Sequence, residues 1–311
     1  MTTLYRSADH LAEFHARMTA AAARLVPDYE LILVDDGSPD RSLDVALAIC
    51  ASDPRVRVIE LSRNFGHHRA MMTGLAHARG ALVFLIDCDL EEQPEWLEGF
   101  LARLHETGAD VAYGVQDARK GSWFERLSGD LFYRVFNLLS DFPVPGNVST
   151  ARLMRRKYVR SLVAHRDREL FIAGLWAATG YRQVSMLVTK RSLSPTTYTL
   201  RRRIHLLIDA VTSFSRRPLV LVFYLGIAIV LISTSAAGYL MWRQISSGFL
   251  PGWASLIVSV WILGGLTLFS IGLIGIYLSR IFIESKRRPL TIIRKVYRHD
   301  TVAEERELHH A

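Results

Sequence analysis

Three carboxylates, Asp87, Asp89 and Glu91, stand within five residues directly after the apolar run 81–86 (ALVFLI). Crowded carboxylates repel one another unless a divalent cation neutralises them, and Mg²⁺ or Mn²⁺ bridging a diphosphate suits such hard oxygen donors. A D-x-D triplet by itself is common on solvated turns. Its position after an apolar strand, in a chain with a second acidic strand end at Asp35 and Asp36, makes the metal reading the stronger one. Asp35 and Asp36 can accept hydrogen bonds from the ring N–H of a base or from ribose hydroxyls. An Asx-type turn shaped by Gly37 and Pro39 is the blander reading of the same residues, and the two are compatible. In the segment 62–68 (SRNFGHH), Arg63 is the residue of interest. His67 and His68 read as solvated or loop-packing, because adjacent histidines on a turn seldom point at one ion. Arg119, Lys120, Arg126, Lys190 and Arg191 are candidates for phosphate contacts, since arginine grips phosphate oxygens bidentately.

The elements that must position these groups alternate. Residues 7–26 have apolar positions at Leu11, Phe14, Met18 and Ala22, a helical spacing, and residues 29–34 (YELILV) read as a buried strand running into the turn 35–40. A helix over 42–51, a strand over 56–61 (VRVIEL), a helix over 69–79 and the strand 81–86 follow. A further helix over 94–105, a short strand over 110–115 and an aromatic-rich helix over 121–140 continue the series. Alternation of this kind predicts a parallel, doubly wound α/β sheet with ligands at the carboxyl ends of its strands, where both acidic clusters fall.

Charge and hydropathy divide the chain further. The net +8 is uneven: residues 1–150 sum to −8, 151–217 to +12, 218–279 to +1 and 280–311 to +3. A nucleic-acid partner is excluded, because the larger domain is acidic and the positive charge borders the apolar region. Residues 218–242 and 244–279 carry no charge, and each run exceeds the ~20 residues a helix needs to cross a bilayer. Residues 201–217 (RRRIHLLIDAVTSFSRR) place Ile204, Ile208, Val211 and Phe214 on one face between basic ends, the pattern of an interfacial helix. Basic residues flank both apolar runs on their outer sides, and only Arg243 lies between them. The positive-inside rule then puts both flanks in the cytosol. The N-terminus has no signal-peptide pattern, and two cysteines, Cys50 and Cys88, fit a reducing compartment.

Residues 34–42 (VDDGSPDRS), 61–80 (LSRNFGHHRAMMTGLAHARG), 84–95 (FLIDCDLEEQPE), 132–140 (FYRVFNLLS), 171–176 (FIAGLW), 212–219 (TSFSRRPL) and 276–290 (IYLSRIFIESKRRPL) resemble the polyprenyl-phosphate glycosyltransferases of family 2. The resemblance covers nearly the whole chain. It implies a GT-A (Rossmann-like) nucleotide-sugar domain over 1–200, an interfacial helix over 201–217, two transmembrane helices over 218–279 and a basic cytosolic tail over 280–311. It also implies an inverting transfer of sugar from a nucleotide-sugar, most often a UDP-sugar, to polyprenyl phosphate at the cytosolic face of a bacterial inner membrane, serving cell-envelope glycan or O-antigen modification. Asp35 and Asp36 then match base and ribose contacts. Asp87, Asp89 and Glu91 match the positions for Mg²⁺ or Mn²⁺, with Asp89 and its ion central to catalysis. Arg119 and Arg126 match the arginines that hold acceptor or donor phosphate, and Arg63 and Arg191 join them as candidate substrate-binding residues. Oligomeric state stays open, a homo-oligomer included.

The chain departs from that pattern in three places. It begins near the turn that normally ends the first strand, so that strand is expected to be absent; Thr150 replaces an acidic residue, and Thr197 a basic one. These departures motivate an alternative, a catalytically degenerate membrane-anchored subunit that binds nucleotide-sugar without turnover. A processive polysaccharide synthase is disfavoured, because two spans are too few to form a translocation channel.

Overall fold

The computed structural model describes residues 1–116, 148–165, 167, 172–190, 217–247 and 252–300. They fall into two compact units, one holding the described residues up to 190 together with 288–300, the other the described residues within 217–287.

In the first unit, strands and helices alternate through β1 (Thr2–Leu4), α1 (Ala8–Leu25), β2 (Leu31–Asp35), α2 (Ser42–Ser52), β3 (Val56–Leu61), α3 (His67–His77), β4 (Leu82–Leu85), α4 (Trp96–Thr107) and β5 (Val111–Gln116). Then come β6 (Val148–Arg155), α5 (Arg156–Ala164), α6 (Ile172–Ala178), β7 (Gln183–Val188) and, from the C-terminal segment, β8 (Ile293–Tyr297). The apolar stripe of α1 packs inward as its spacing requires, with Leu11, Phe14, Met18 and Ala22 all buried. Every residue of β2 and β3 is buried, as befits strands covered on both faces.

The strands form two ladders, ordered β1-β2-β3-β8 and β4-β6-β5-β7. Met1 joins them: its amino group donates to the Phe84 carbonyl at 2.8 Å, and its carbonyl accepts from the Ile86 N–H at 3.3 Å. Strands β1, β2 and β3 run parallel, as their helical crossovers dictate. The expectation of an all-parallel sheet is corrected by β6, antiparallel to both β4 and β5, and by β8, antiparallel to β3. Local alternation specifies only strands joined by a helix, whereas β6 and β8 pair with strands far away in sequence.

Two further expectations change. The first strand is present, as three residues pairing with Leu33, Val34 and Asp35 of β2, too short and too polar to register as a pattern. Residues 280–311 are more than a basic tail, because they contribute β8. That strand solves a problem β3 creates: Glu60 points into the protein, 6% exposed, and Arg294 Nη1 and Tyr297 Oη donate to its two oxygens, each at 2.8 Å.

The second unit contains α7 (Arg217–Ser247) and α8 (Trp253–Ser285). Among the described residues one helical segment, Ser259–Ser285, is long and apolar enough to cross a membrane, with mean hydropathy 2.0; Leu219–Ser233 is a shorter apolar stretch. Trp261, Leu268 and Phe269 stand exposed on α8. Leaving such surface in water costs ~25 cal/mol per Å², so a hydrocarbon surround suits this helix. The expected interfacial helix 201–217 lies, except for Arg217, outside the described residues.

Candidate active site

The carboxyl ends of β2, β3 and β4 supply the site. Asp35 closes β2, the loop after β3 leads into α3, and Asp87 follows β4 by two residues. Gly37 lets the first two of these ends pack backbone to backbone. Its φ is +61°, and a Cβ there would lie 2.5 Å from the Arg63 carbonyl carbon and from the Asn64 nitrogen. Glycine alone accommodates both the left-handed turn and the close approach.

Asp35 and Asp36 look equivalent in sequence and are not equivalent in the fold. The two Asp36 oxygens accept the Phe65 and Gly66 N–H groups at 2.7 and 3.0 Å, stapling the turn after β2 to the loop after β3. Asp35 is 3% exposed. Its Oδ2 accepts the Ser38 N–H at 3.4 Å, and its Oδ1 is buried without a partner. Burial, reinforced by the Glu60 and Asp36 charges and opposed by the Ser38 and Gly37 N–H groups, pushes its pKa up to about 6. A buried carboxylate with one unsatisfied oxygen is available to a ligand donor. Arg63 is exposed and serves its own loop, donating to the Asn64 carbonyl at 2.9 Å and lying 4.1 Å over the Phe65 ring.

His67, which the sequence reads as solvated or loop-packing, is exposed and also contacts the site. Its Nδ1 is 2.9 Å from Thr3 Oγ1, and its Nε2 is 3.4 Å from Asp87 Oδ1. Burial opposes its charge, but Asp87 first, then Asp36 and Glu92, outweigh burial and raise its pKa. The missed signal was position: His67 opens a helix straight after a strand's carboxyl end, which an apolar-spacing argument ignores.

The turn after β4 is held in an unusual conformation. Leu90 has φ +61° with its side chain buried, and the Glu91 N–H donates to Asp89 Oδ1 at 3.0 Å. Left-handed backbone at a leucine persists only where the surroundings impose it, here by seating the side chain in the core. Burial works against ionisation of Asp87, yet His67 and Lys190 hold its pKa below the ordinary carboxylate range. Asp89 sits on an exposed turn, but the protein mass behind it and then the Asp87 charge push its pKa up to about 6. The two carboxylates thus differ, Asp87 held in its charged form and Asp89 easier to protonate as pH falls toward 6.

Among the described residues no three His, Cys, Asp or Glu side chains converge into a metal cage. The donor chemistry nonetheless suits a shared ion. Asp87 Oδ1 is buried with His67 Nε2 at 3.4 Å facing it, and Mg²⁺ is usually held by one or two carboxylates together with substrate phosphates and waters.

Glu92, the fourth acid of the cluster, is fully buried and was not singled out by the sequence, which contains no sign of which acid in a run turns inward. It accepts from Ser149 Oγ at 2.5 Å, from the Thr150 N–H at 2.9 Å and from Lys190 Nζ at 2.8 Å. Arg119, Arg126 and Arg191, with Lys120 and Thr197, lie outside the described residues.

These features define the class: an α/β domain that gathers carboxylates of deliberately different pKa at the carboxyl ends of its strands. The chain belongs to glycosyl transferase family 2, whose pattern matches residues 2–163, and its activity is that of a glycosyltransferase. A Mycobacterium tuberculosis (strain CDC 1551 / Oshkosh) chain named among glycosyltransferases is 56% identical over 306 residues, covering 98% of this chain and 90% of the relative. The prophage bactoprenol glucosyl transferase homolog of Escherichia coli (strain K12) is 30% identical, covering 86% of this chain and 89% of the relative. The bactoprenol glucosyl transferase of Shigella phage SfII is 31% identical, with 87% and 89% covered. Of solved structures, mannosyl-3-phosphoglycerate synthase from Rubrobacter xylanophilus aligns with a TM-score of 0.45 at 18% identity, covering 81% of this chain and 77% of that one.

Proposed function

We propose that the protein is an inverting glycosyltransferase of GT-A type that moves a sugar from a nucleotide-sugar, a UDP-sugar by preference, to the phosphate of a membrane polyprenol. The observation that carries this reading is the turn after β4, which sets Asp87 and Asp89 at a strand's carboxyl end with the Glu91 N–H bonded to Asp89 Oδ1, within a family 2 chain that also has an apolar helix of membrane-spanning length. The names of the Escherichia coli and phage relatives, both bactoprenol glucosyl transferases, support a polyprenyl-phosphate acceptor.

In the proposed reaction an oxygen of the lipid phosphate forms a bond to the anomeric carbon as the bond from that carbon to the nucleoside diphosphate breaks, and the diphosphate leaves with the electron pair. Lipid phosphate is already anionic near neutral pH, so the chain's task is to position and screen charge rather than to remove a proton. Asp87 and Asp89, with Glu91 adjacent, would hold Mg²⁺ or Mn²⁺; the ion's contribution is Lewis-acid stabilisation of charge on the departing diphosphate. Asp35 offers its free oxygen to the base or ribose, and Asp36 keeps the loop after β3 in place beside it. Arg63, Arg119, Arg126 and Arg191 are the proposed phosphate contacts.

The proposed setting is the bacterial inner membrane. A hairpin of α7 and α8 would anchor the chain, with the transferase domain and the C-terminal segment cytosolic and the product destined for envelope glycan or O-antigen modification. Membranes containing the chain, given labelled UDP-sugars, undecaprenyl phosphate and Mg²⁺ or Mn²⁺, are expected to make a labelled lipid that Asp89→Ala membranes do not make. Binding of UDP without any labelled lipid from any nucleotide-sugar would overturn the enzyme reading in favour of a binding subunit.

A further inference from the structure

Glu92 is the most enclosed acid near the β4 turn, and the metal reading leaves it without a role. Burying a carboxylate costs several kcal/mol unless it is paired and hydrogen-bonded. Here the compensation comes from three separate parts of the first unit. Oε1 accepts from Ser149 Oγ and the Thr150 N–H, at the start of β6, and from Lys190 Nζ, two residues past the end of β7. Oε2 faces the Asp87 N–H at 3.4 Å. One side chain thereby ties the acidic turn, β6 and the end of β7 together.

Lys190 is the second half of the arrangement. Its side chain is 22% exposed, and the charges of Asp87 and Asp89, after that of Glu92, raise its pKa against the effect of burial. Buried ion pairs of this kind seldom add net stability over apolar packing, and their better-attested use is to fix one arrangement. Outer carboxylates that orient the groups holding a metal commonly change its affinity 10–100-fold when removed.

We propose that Glu92 is a positioning residue for the cation–diphosphate end of the site, locking the Asp87–Asp89 turn onto β6 and holding the Lys190 ammonium beside it. The inference rests on the nucleotide-sugar reading above and deepens it. Positioning differs from a simple effect of charge in a way that can be read out. If Glu92 and Lys190 act only through space, removing the anion weakens binding of Mn²⁺ without UDP and removing the ammonium strengthens it. If they act as a clamp, both changes weaken it, and so does Ser149→Ala, which alters no charge.

The test is calorimetric titration of Mn²⁺, alone and with UDP, into the detergent-solubilised full chain and its variants, with thermal unfolding measured in parallel. Glu92→Gln is expected to weaken Mn²⁺–UDP binding by ~10–100-fold, and Lys190→Met and Ser149→Ala to weaken it by smaller factors. Tighter binding of Mn²⁺ alone by Lys190→Met with wild-type binding by Ser149→Ala would replace the clamp with a through-space effect. Wild-type affinity in all three variants overturns the inference while leaving the nucleotide-sugar reading intact, whereas a wild-type chain that fails to bind Mn²⁺–UDP overturns both. Should Glu92→Gln fail to fold, Lys190→Met and Ser149→Ala decide the question by the direction of their shifts.

Discussion

Asp35→Asn should make the protein more stable and less able to bind nucleotide, and the size of the gain follows from burial. The carboxyl group is 3% exposed, one oxygen has no partner, and its pKa rises from 3.8 to about 6. A raised acid pKa means the native state holds its proton more tightly than the unfolded chain, so stability falls as pH rises from about 4 through about 6 and the burden is complete above that. Two units at ~1.36 kcal/mol each come to about 3 kcal/mol. The asparagine amide removes that charge but leaves its own N–H groups short of an acceptor, at a cost of about 1 kcal/mol. The net gain at pH 7.5 is about 2 kcal/mol, or roughly 4–8 °C in Tm for a domain of this size. Thermal unfolding of wild type and variant in detergent at pH 7.5 and pH 5 measures it. At pH 5, midway through that window, about half of the burden remains, so after the amide's cost the advantage should shrink to roughly 0.5 kcal/mol. A variant no more stable than wild type at pH 7.5, or a Tm difference unchanged between the two pH values, would refute the reasoning. The accompanying loss of UDP affinity would mark Asp35 as a group kept for binding at the expense of stability.

Gly37→Ala should destabilise by at least the ~1–2 kcal/mol of a left-handed alanine, with a further cost because the new Cβ meets the Arg63 and Asn64 backbone; urea unfolding midpoints will show it, and a wild-type midpoint would contradict the close approach. Arg294→Ala removes one of two donors to the buried Glu60 and should lower stability by about 1–3 kcal/mol, with hydrogen exchange in β3 and β8 accelerated ahead of that in β1. Because Asp89 titrates near 6, protons should compete with the cation. The Mn²⁺ concentration giving half-maximal UDP binding should therefore rise as pH falls from 7 to 5, more steeply in wild type than in Asp89→Asn.

Elements with a strong local period were legible: the stripe of α1 and the apolar strands β2, β3 and β4 follow from spacing alone, since helix and strand periods are properties of neighbouring residues. Other features had no local signature. Two threonines and a leucine at the start make a strand because Leu33, Val34 and Asp35 offer them a parallel edge. Ile293–Tyr297 becomes β8 by pairing with β3, more than 200 positions earlier, where Arg294 and Tyr297 also supply donors to Glu60. Local alternation predicted parallel strands, and the antiparallel pairings of β6 and β8 came from parts of the chain it does not reach.

The sequence by itself determined where the acids stand: at the carboxyl ends of apolar strands, next to a chain segment too apolar for water. Tertiary structure alone decided which acid does what. Asp36 is consumed by two backbone N–H groups, Asp35 keeps an open oxygen, Asp87 is held charged by His67 and Lys190, and Glu92 is sealed beneath them. Carboxylates are chemically alike along the chain. Burial and the partners that distant segments bring are what set them apart, because desolvation and hydrogen bonding act through space rather than along the sequence.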